Sequence, residues 1–498
     1  MVYYKEGKKE VMNDIRKNLF YQTILQILNT CLPLITSPYL SRILAAEGLG
    51  RFSYTQSIVN YFTLFSMLGV INYGTRSIAI YKRNKEERSI EFWNIYFLQY
   101  SVSLIALISY VIYILFFLKD NVIIAWFQIF YIIAAMFDIS WVFFGMENFK
   151  ITAKINTIIR IISVIVILTL VKSLDDLWIY TFIMSGSLFF GNILLWLFLF
   201  KIIDIKKIKN ICFKGILKHI KPNLILFIPL LAMSVYHIMD KTMLGLLSSY
   251  EQTGFYYNAD KIINIPAGII TGIGTVMLPK MSTIINLGDK EKANKIFKVS
   301  IEMIIMLAIA ITFGISAISF KFIPFFFGKG FDECISLVIV LSPVIIIKGL
   351  SYTIRMQYLI PNFKEKIFIQ SIFIGAIVNL VINIILIPNL DAMGAVLGTL
   401  IAEFISCFWQ YKFIYKDIKD RKLILNMYIY ILFGMIMSSI IYFIGTMIND
   451  NLVAIIVQFI LGVIIYIGLC ICYWILTKNF IFKIIFNKNK GEKQNEFI

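Results

Sequence analysis

Between residues 19 and 476 the chain alternates long apolar runs with short polar connections. An α-helix needs about 20 apolar residues to cross a hydrocarbon core, and about fourteen runs of that length can be marked. They fall near 19–39, 50–72, 92–117, 121–145, 155–171, 176–200, 222–247, 254–278, 299–320, 333–353, 366–388, 393–412, 425–447 and 452–476. The pattern predicts an all-α polytopic membrane protein.

Several runs carry polar residues at helical spacing. Gln22, Gln26 and Asn29 share a face of the first span, and Ser53, Gln56, Asn60 and Thr63 share one of the second. Thr152, Asn156, Arg160 and Ser163 line up on the fifth, as do Lys261, Asn264, Gly268 and Thr271 on the eighth. Residues three and four apart lie one above the other on a helix, so these are faces rather than scatter. Two readings fit a single stripe: hydrogen bonding between helices, or the wall of a wet cavity. Corresponding stripes in two halves of the chain favour a shared cavity.

Those halves are visible as a repeat. "EGLGRFSYTQSIVN" (47–60) aligns with "EQTGFYYNADKIIN" (251–264), matching Glu47 to Glu251, Gly50 to Gly254, Ile58 to Ile262 and Asn60 to Asn264. "NFK" recurs at 148–150 and 362–364, each before an odd-numbered span. Six spans per copy is an even number, so both copies enter the membrane in the same sense. That predicts two six-helix lobes related by an axis along the membrane normal, plus two further C-terminal helices. The expected divisions are 1–200, a linker at 201–221, 222–420, 421–477 for spans 13 and 14, and a cytoplasmic tail at 478–498. Ile205, Ile208, Cys212, Ile216 and Ile220 recur among lysines, so the linker is expected to form a basic amphipathic helix at the inner headgroups.

Composition agrees with a membrane setting: 59% of the 498 residues are hydrophobic and only 15% charged, against about a quarter charged in soluble domains. The net charge of +18 sorts by topology. With an inner N-terminus, most of the 47 Lys and Arg fall in inner segments, the bias that orients multi-pass proteins. Both termini are then cytoplasmic. The basic residues spread over many inner segments without forming one patch, which argues against nucleic acid as a partner. The six cysteines have no metal-ligand spacing and read as small packing residues. No P-loop, HExxH or GxSxG is present, and no outer loop is long enough for a catalytic domain. The expectation is a transporter without cofactor or metal, not an enzyme.

Embedded charges narrow the chemistry. Arg160, Lys241, Lys261, Lys280 and Lys348 fall in or near spans, where a charge must face a partner or a cavity. Asp240–Lys241 and Asp260–Lys261 stand level across a hairpin centred at 250–251. Neighbouring residues on one helix point about 100° apart, so at most one of each pair can face the other helix. The arrangement is either a hairpin staple or a cationic site in a transport path.

Four blocks resemble Wzx-type polysaccharide flippases of the multidrug/oligosaccharidyl-lipid/polysaccharide exporter superfamily. They are the N-terminal "RKNLFYQTILQILNTCLPLITSPYLSRILAAEGLGRFSYTQSIVNYF", "FDISWVFFGMENFKI" (137–151), "DKTMLGLLSSYEQTGFYYNADKIINIPAGIITGIGTVMLPKMS" (240–282) and "GAIVNLVINIILIPNLDAMGAVLGTLIAEF" (375–404). The resemblance implies twelve core helices plus two. It also implies a polyprenyl-diphosphate-linked oligosaccharide as cargo, in the cytoplasmic membrane, with membrane lipids and assembly proteins such as a polysaccharide polymerase as partners. For such a cargo the diphosphate candidates are Lys241, Lys261 and Arg160, then Arg51 and Arg42 at the outer mouth. Arg76 and Arg355 are candidates for capture from the cytoplasmic side. Asn60, Asn264 and Gln56 suit sugar hydroxyls, and Asp240, Asp260 and Asp138 suit charge pairing or gating. A multidrug exporter or a lipid II flippase of the same superfamily is the competing expectation. A membrane glycosyltransferase or polymerase would need a catalytic constellation that the loops lack.

Overall fold

A computed structural model describes the backbone of residues 2–418 and 421–477, and the side chains of most residues from Leu32 onward. The expected tail at 478–498, the side chains of Gln22, Gln26 and Asn29, and that of His237 lie outside the described residues. Among the described residues there is no strand. Sixteen α-helices follow in order: α1 (Val2–Met67), α2 (Val70–Ile80), α3 (Lys85–Phe116), α4 (Val122–Met136), α5 (Ser140–Gly145), α6 (Phe149–Leu170), α7 (Leu177–Leu199), α8 (Phe213–Leu217), α9 (Ile220–Leu247), α10 (Tyr250–Asn286), α11 (Lys290–Phe327), α12 (Glu333–Leu341), α13 (Val344–Ile354), α14 (Glu365–Ile418), α15 (Arg421–Met447) and α16 (Asn451–Thr477).

Eleven stretches of the described chain are long and apolar enough to cross a membrane. One of them, Glu365–Tyr415, is 51 residues long and holds two of the expected spans, divided where Asp391 takes φ 50. In the same way α1 carries the first two expected spans and turns at Ala45, φ 52. The protein is an all-α, multi-pass membrane protein.

Two compact units divide the chain at Tyr257/Asn258. In the first, α1 packs against α3, α4, α6 and α9, while α4 lies along α7. Phe92, Trp141, Ile139 and Leu199 form one fully buried cluster, and Val59, Tyr110 and Ile132 centre another. In the second unit α11 is the hub for α13, α15 and α16. Phe297, Ile309, Tyr430 and Ile441 are its buried core. The C-terminal pair is also tied by polar bonds. Glu302 on α11 accepts from Asn426 Nδ2 at 2.7 Å and Tyr430 Oη at 2.9 Å, and Trp474 Nε1 donates to Tyr430 Oη at 3.0 Å.

The linker differs from expectation. It is not one amphipathic helix but a 3-10 segment, Ile205–Asn210, followed by the five-residue α8. Asp204 caps the first piece through Lys206 N, and Cys212 Sγ accepts from Gly215 N at the start of the second. Tertiary bonds to α3 fix both: Trp93 Nε1 donates to the Asp204 carbonyl at 3.2 Å, and Lys218 pairs with Glu91 at 2.9 Å. The isoleucines that mark the periodicity do not share one face: Ile208 packs on the Phe92–Trp141 cluster beside Ile211, while Ile205 is exposed.

The glycines at matching positions of the two similar stretches, Gly50 and Gly254, meet each other. A Cβ on Gly50 would strike the Tyr250 carbonyl and the Gly254 nitrogen, and one on Gly254 would strike the Ala46 carbonyl. Under the offset of 204 residues that aligns 50 with 254, position 46 aligns with 250. The two contacts are therefore reciprocal, each glycine approaching the carbonyl of the residue four positions before the other. Backbone approaches this close need glycine on both helices.

Two measurements follow from this packing. Gly50→Ala and Gly254→Ala should each lower thermal stability in detergent by about 1–3 kcal/mol, since backbone cannot yield to the added methyl. An equal melting temperature for Gly254→Ala would show that the crossing tolerates a side chain after all. Gln99 closes the break between α4 and α5, donating from Nε2 to Ala135 O at 2.7 Å and Asp138 O at 2.9 Å while accepting from Trp141 Nε1. Gln99→Leu should cost a further ~1–3 kcal/mol by orphaning those buried groups.

Candidate functional site

In the first unit the functional candidates gather along α1, α9 and the start of α10. Asp240 is 5% exposed and accepts from Tyr256 Oη at 2.6 Å. Lys241, half-buried, sets its ammonium over the Tyr257 ring, 5.4 Å from the centroid. Adjacent residues thus meet different surroundings, one a hydroxyl donor and the other a π-face. Tyr257 lies beside Tyr131 and Tyr180, and Gln56 Nε2 donates to Tyr131 Oη at 3.1 Å. An amide, a group of phenols and an ammonium therefore form one connected cluster. Ser57 and Thr242 hydroxyls, 2.8 Å apart, bind α1 to α9 beside it.

Such a cluster suits a polar, anionic headgroup. Ammonium supplies charge, and phenols supply both hydroxyls and ring faces on which sugars can stack. Sequence reasoning found Lys241, Asp240 and Gln56 but missed Tyr131, Tyr180, Tyr256 and Tyr257. Tyrosine inside an apolar run carries no periodic polar signal, and Tyr131 and Tyr257 are 126 positions apart. Among the remaining candidates, Asn60 is half-buried four residues from Gln56. Arg160 is half-buried on α6, where no hydrogen bond or ion pair reaches it among the described residues.

At the expected outer mouth Arg51 is already engaged. Its guanidinium pairs with Glu47 at 2.6 Å, reaches Asn121 Oδ1 at 3.3 Å and lies 5.5 Å from the Tyr250 ring centroid. An anion binding there must compete with Glu47. Arg42 is exposed on α1. Asp138 occupies the break between α4 and α5, where its carboxylate accepts from Ser140 N at 2.8 Å. That bond turns the chain and is a structural use of the acid. Arg76 is exposed on α2.

The second unit holds a separate chain of charges. Asn264 Nδ2 donates to Asp260 Oδ1 at 2.5 Å, and Lys348 Nζ donates to Asn264 Oδ1 at 3.1 Å. Lys348 also lies 3.8 Å from Glu403, their side chains being 17% and 10% exposed. Lys261 is half-buried next to Asp260. Along the same helix a Cβ added at Gly268 would meet nothing within 4 Å, and Thr271 bonds back to the Gly268 carbonyl. Among the described residues, the helix therefore has open space beside it at Gly268, one turn past the Asn264–Lys348 bond. Lys348 and Glu403 complete the network, though no local motif links α13 to α14. Arg355 is clasped between Tyr352 and Phe368, 4.4 and 4.6 Å from their ring centroids.

Comparison with known proteins gives this geometry a context. A putative O-antigen transporter of Escherichia coli K12 is 23% identical over 393 residues, 78% of this chain and 94% of that protein. The lipid II flippase MurJ of Bacillus subtilis is 26% identical over 177 residues, 35% of this chain and 31% of that one. Among solved structures, lipid II flippase MurJ in an inward closed conformation matches with TM-score 0.71 at 16% identity, covering 93% of this chain and 100% of that chain. An inward-facing multidrug resistance transporter of the MATE family matches with TM-score 0.58 at 13% identity, covering 78% and 98%. These structural likenesses establish a shared all-α fold. The family model described as "Polysaccharide biosynthesis protein" matches residues 15–285, more than half of the sequence, and the chain belongs to that family.

Proposed function

We propose that the protein flips a polyprenyl-diphosphate-linked oligosaccharide repeat unit from the inner to the outer leaflet of the cytoplasmic membrane, for surface polysaccharide synthesis. The observation that carries this reading is the family match, extended by similarity to nearly the full length of an O-antigen transporter. The physics of such a cargo fits the cluster described above. A diphosphate and sugars cannot enter hydrocarbon, whereas a polyprenyl tail can remain in it throughout. The protein need only offer the headgroup a polar route and expose it in turn to the two membrane faces. No bond is made or broken, so this is transport and not catalysis.

In this reading Lys241, Lys261 and Arg160 neutralise the diphosphate, with guanidinium able to bind two oxygens at once. Gln56, Asn60 and Asn264 meet sugar hydroxyls. The repeats of 1–200 and 222–420 act as the two moving lobes, with 421–477 outside the duplication. A lipid II flippase is the second reading, favoured by the fold match with MurJ. Complementation separates them: rescue of a polysaccharide-flippase deletion supports the first, and rescue only of a lipid II flippase depletion supports the second.

Ala in place of Lys241, Lys261 or Arg160 should reduce polymer output at unchanged membrane abundance, and Gln should hurt almost as much because charge is what phosphate requires. Normal output from the triple Ala variant would leave these residues as helix staples. An inside-negative potential favours outward movement of an uncompensated negative headgroup by about 2.3 kcal/mol per charge per 100 mV. Flipping in vesicles should accordingly slow when the potential is collapsed.

For the second unit, Lys348→Ala should lower transport by taking the ammonium away from Glu403 and Asn264, and Glu403→Gln should partly restore it. The double-mutant cycle checks this coupling. Strictly additive losses would show that the pair does not act as one.

A further inference from the structure

A cavity of about 360 Å³ opens between the α10–α11 connection and the turn that follows α13. The charge bias assigns both connections to the cytoplasmic side. Lys290 and Lys364 flank the cavity, and Asn294, Gln357, Tyr358 and Asn362 complete its polar lining. Gln357 is the unusual member. It is 0% exposed, and among the described residues neither its Oε1 nor its Nε2 has a hydrogen-bond partner. A buried amide with both ends unpaired is costly unless something outside the chain bonds to it. The residue sits in a single turn of π-helix, Arg355–Leu359, a widening of the helix that recurs at functional sites.

The surrounding groups define what would satisfy it. Lys364 Nζ reaches Tyr358 Oη at 3.4 Å and lies 5.0 Å from that ring's centroid, so its charge is held at the cavity wall. Asn362 Nδ2 is occupied by the Tyr358 carbonyl at 2.8 Å, which leaves Oδ1 as an acceptor. The nearby acid Asp289 does not line the cavity and is engaged in capping α11, accepting from Lys292 N at 3.0 Å. Two ammonium groups call for an anion. Amides offering both a donor and acceptors call for hydroxyls beside it. We propose that this cavity is a binding site for a phosphate ester bearing free hydroxyls, with Lys290 and Lys364 on the phosphate and Gln357 and Asn362 on the hydroxyls.

Such a group comes either from a glycerophosphate lipid headgroup of the inner leaflet or from a soluble polyol or sugar phosphate. The site is independent of the cargo, so its test uses binding and not transport. Full-length protein in detergent is titrated with short-chain phosphatidylglycerol, with glycerol phosphate and with short-chain phosphatidylcholine at matched ionic strength, following thermal stability. Phosphatidylglycerol or glycerol phosphate should raise the melting temperature and phosphatidylcholine should not. Response to the lipid alone identifies the bilayer as source, and response to glycerol phosphate as well admits a soluble ligand; both support the site. Lys290→Gln/Lys364→Gln should weaken the apparent affinity at least tenfold. Gln357→Leu should weaken it while leaving the unliganded protein as stable as before, because it removes an unpaired amide and not a bond. Equal responses to all three compounds, or an unchanged response in Gln357→Leu, would overturn the proposal.

Discussion

Hydrocarbon offers a backbone no water, and every other feature of this chain is arranged around that constraint. Each peptide N–H and C=O in the membrane must be satisfied from within, which leaves helices as the form available to apolar runs of this length. Where a helix is interrupted, side chains take over the freed backbone groups. Gln99 does so at the α4–α5 break, accepting from Trp141 and donating to two carbonyls. The Asp138 carboxylate turns the chain at the same point. An acid that appears in a sequence as a possible gate is here part of the repair of a broken helix.

The same constraint governs where charge is placed. Lysines inside the described bundle are not left in lipid: Lys241 lies over an aromatic face, and Lys348 lies between an amide and a carboxylate. The Lys348–Glu403 pair, 3.8 Å apart with side chains 17% and 10% exposed, is largely withdrawn from water, and a pair so placed fixes geometry more than it adds net stability.

Much of this was legible in the sequence, because the apolar run length and the sorting of lysines are direct consequences of bilayer thickness and orientation. The close crossing has a trace there too, since Gly50 and Gly254 stand at matching positions of two similar stretches. The turn between the first two spans was harder to place. Two glycines at 48 and 50 mark a flexible segment, yet the left-handed residue is Ala45, and the glycines are used for close packing instead. The linker misled for a related reason. Its isoleucine spacing is helical, but Asp204, whose carbonyl accepts from Trp93 and whose N–H donates to Ser89, ties the segment to α3 and it forms short pieces. Within the site, cations announce themselves by their cost in lipid. Their tyrosine partners do not, since a phenol in an apolar run looks like any other aromatic, and Lys348 and Glu403 meet only after the chain has folded.

The reciprocal glycine contact also bears on how the two helices that cross there can change over time. Each glycine occupies the groove the other leaves, so a methyl gained in one copy is felt at once by the other. Around them the two aligned stretches differ, Phe52 standing against Tyr256 and Arg51 against Phe255. At this crossing neither helix can gain a side chain alone, so any change in one must be answered by a change in the other.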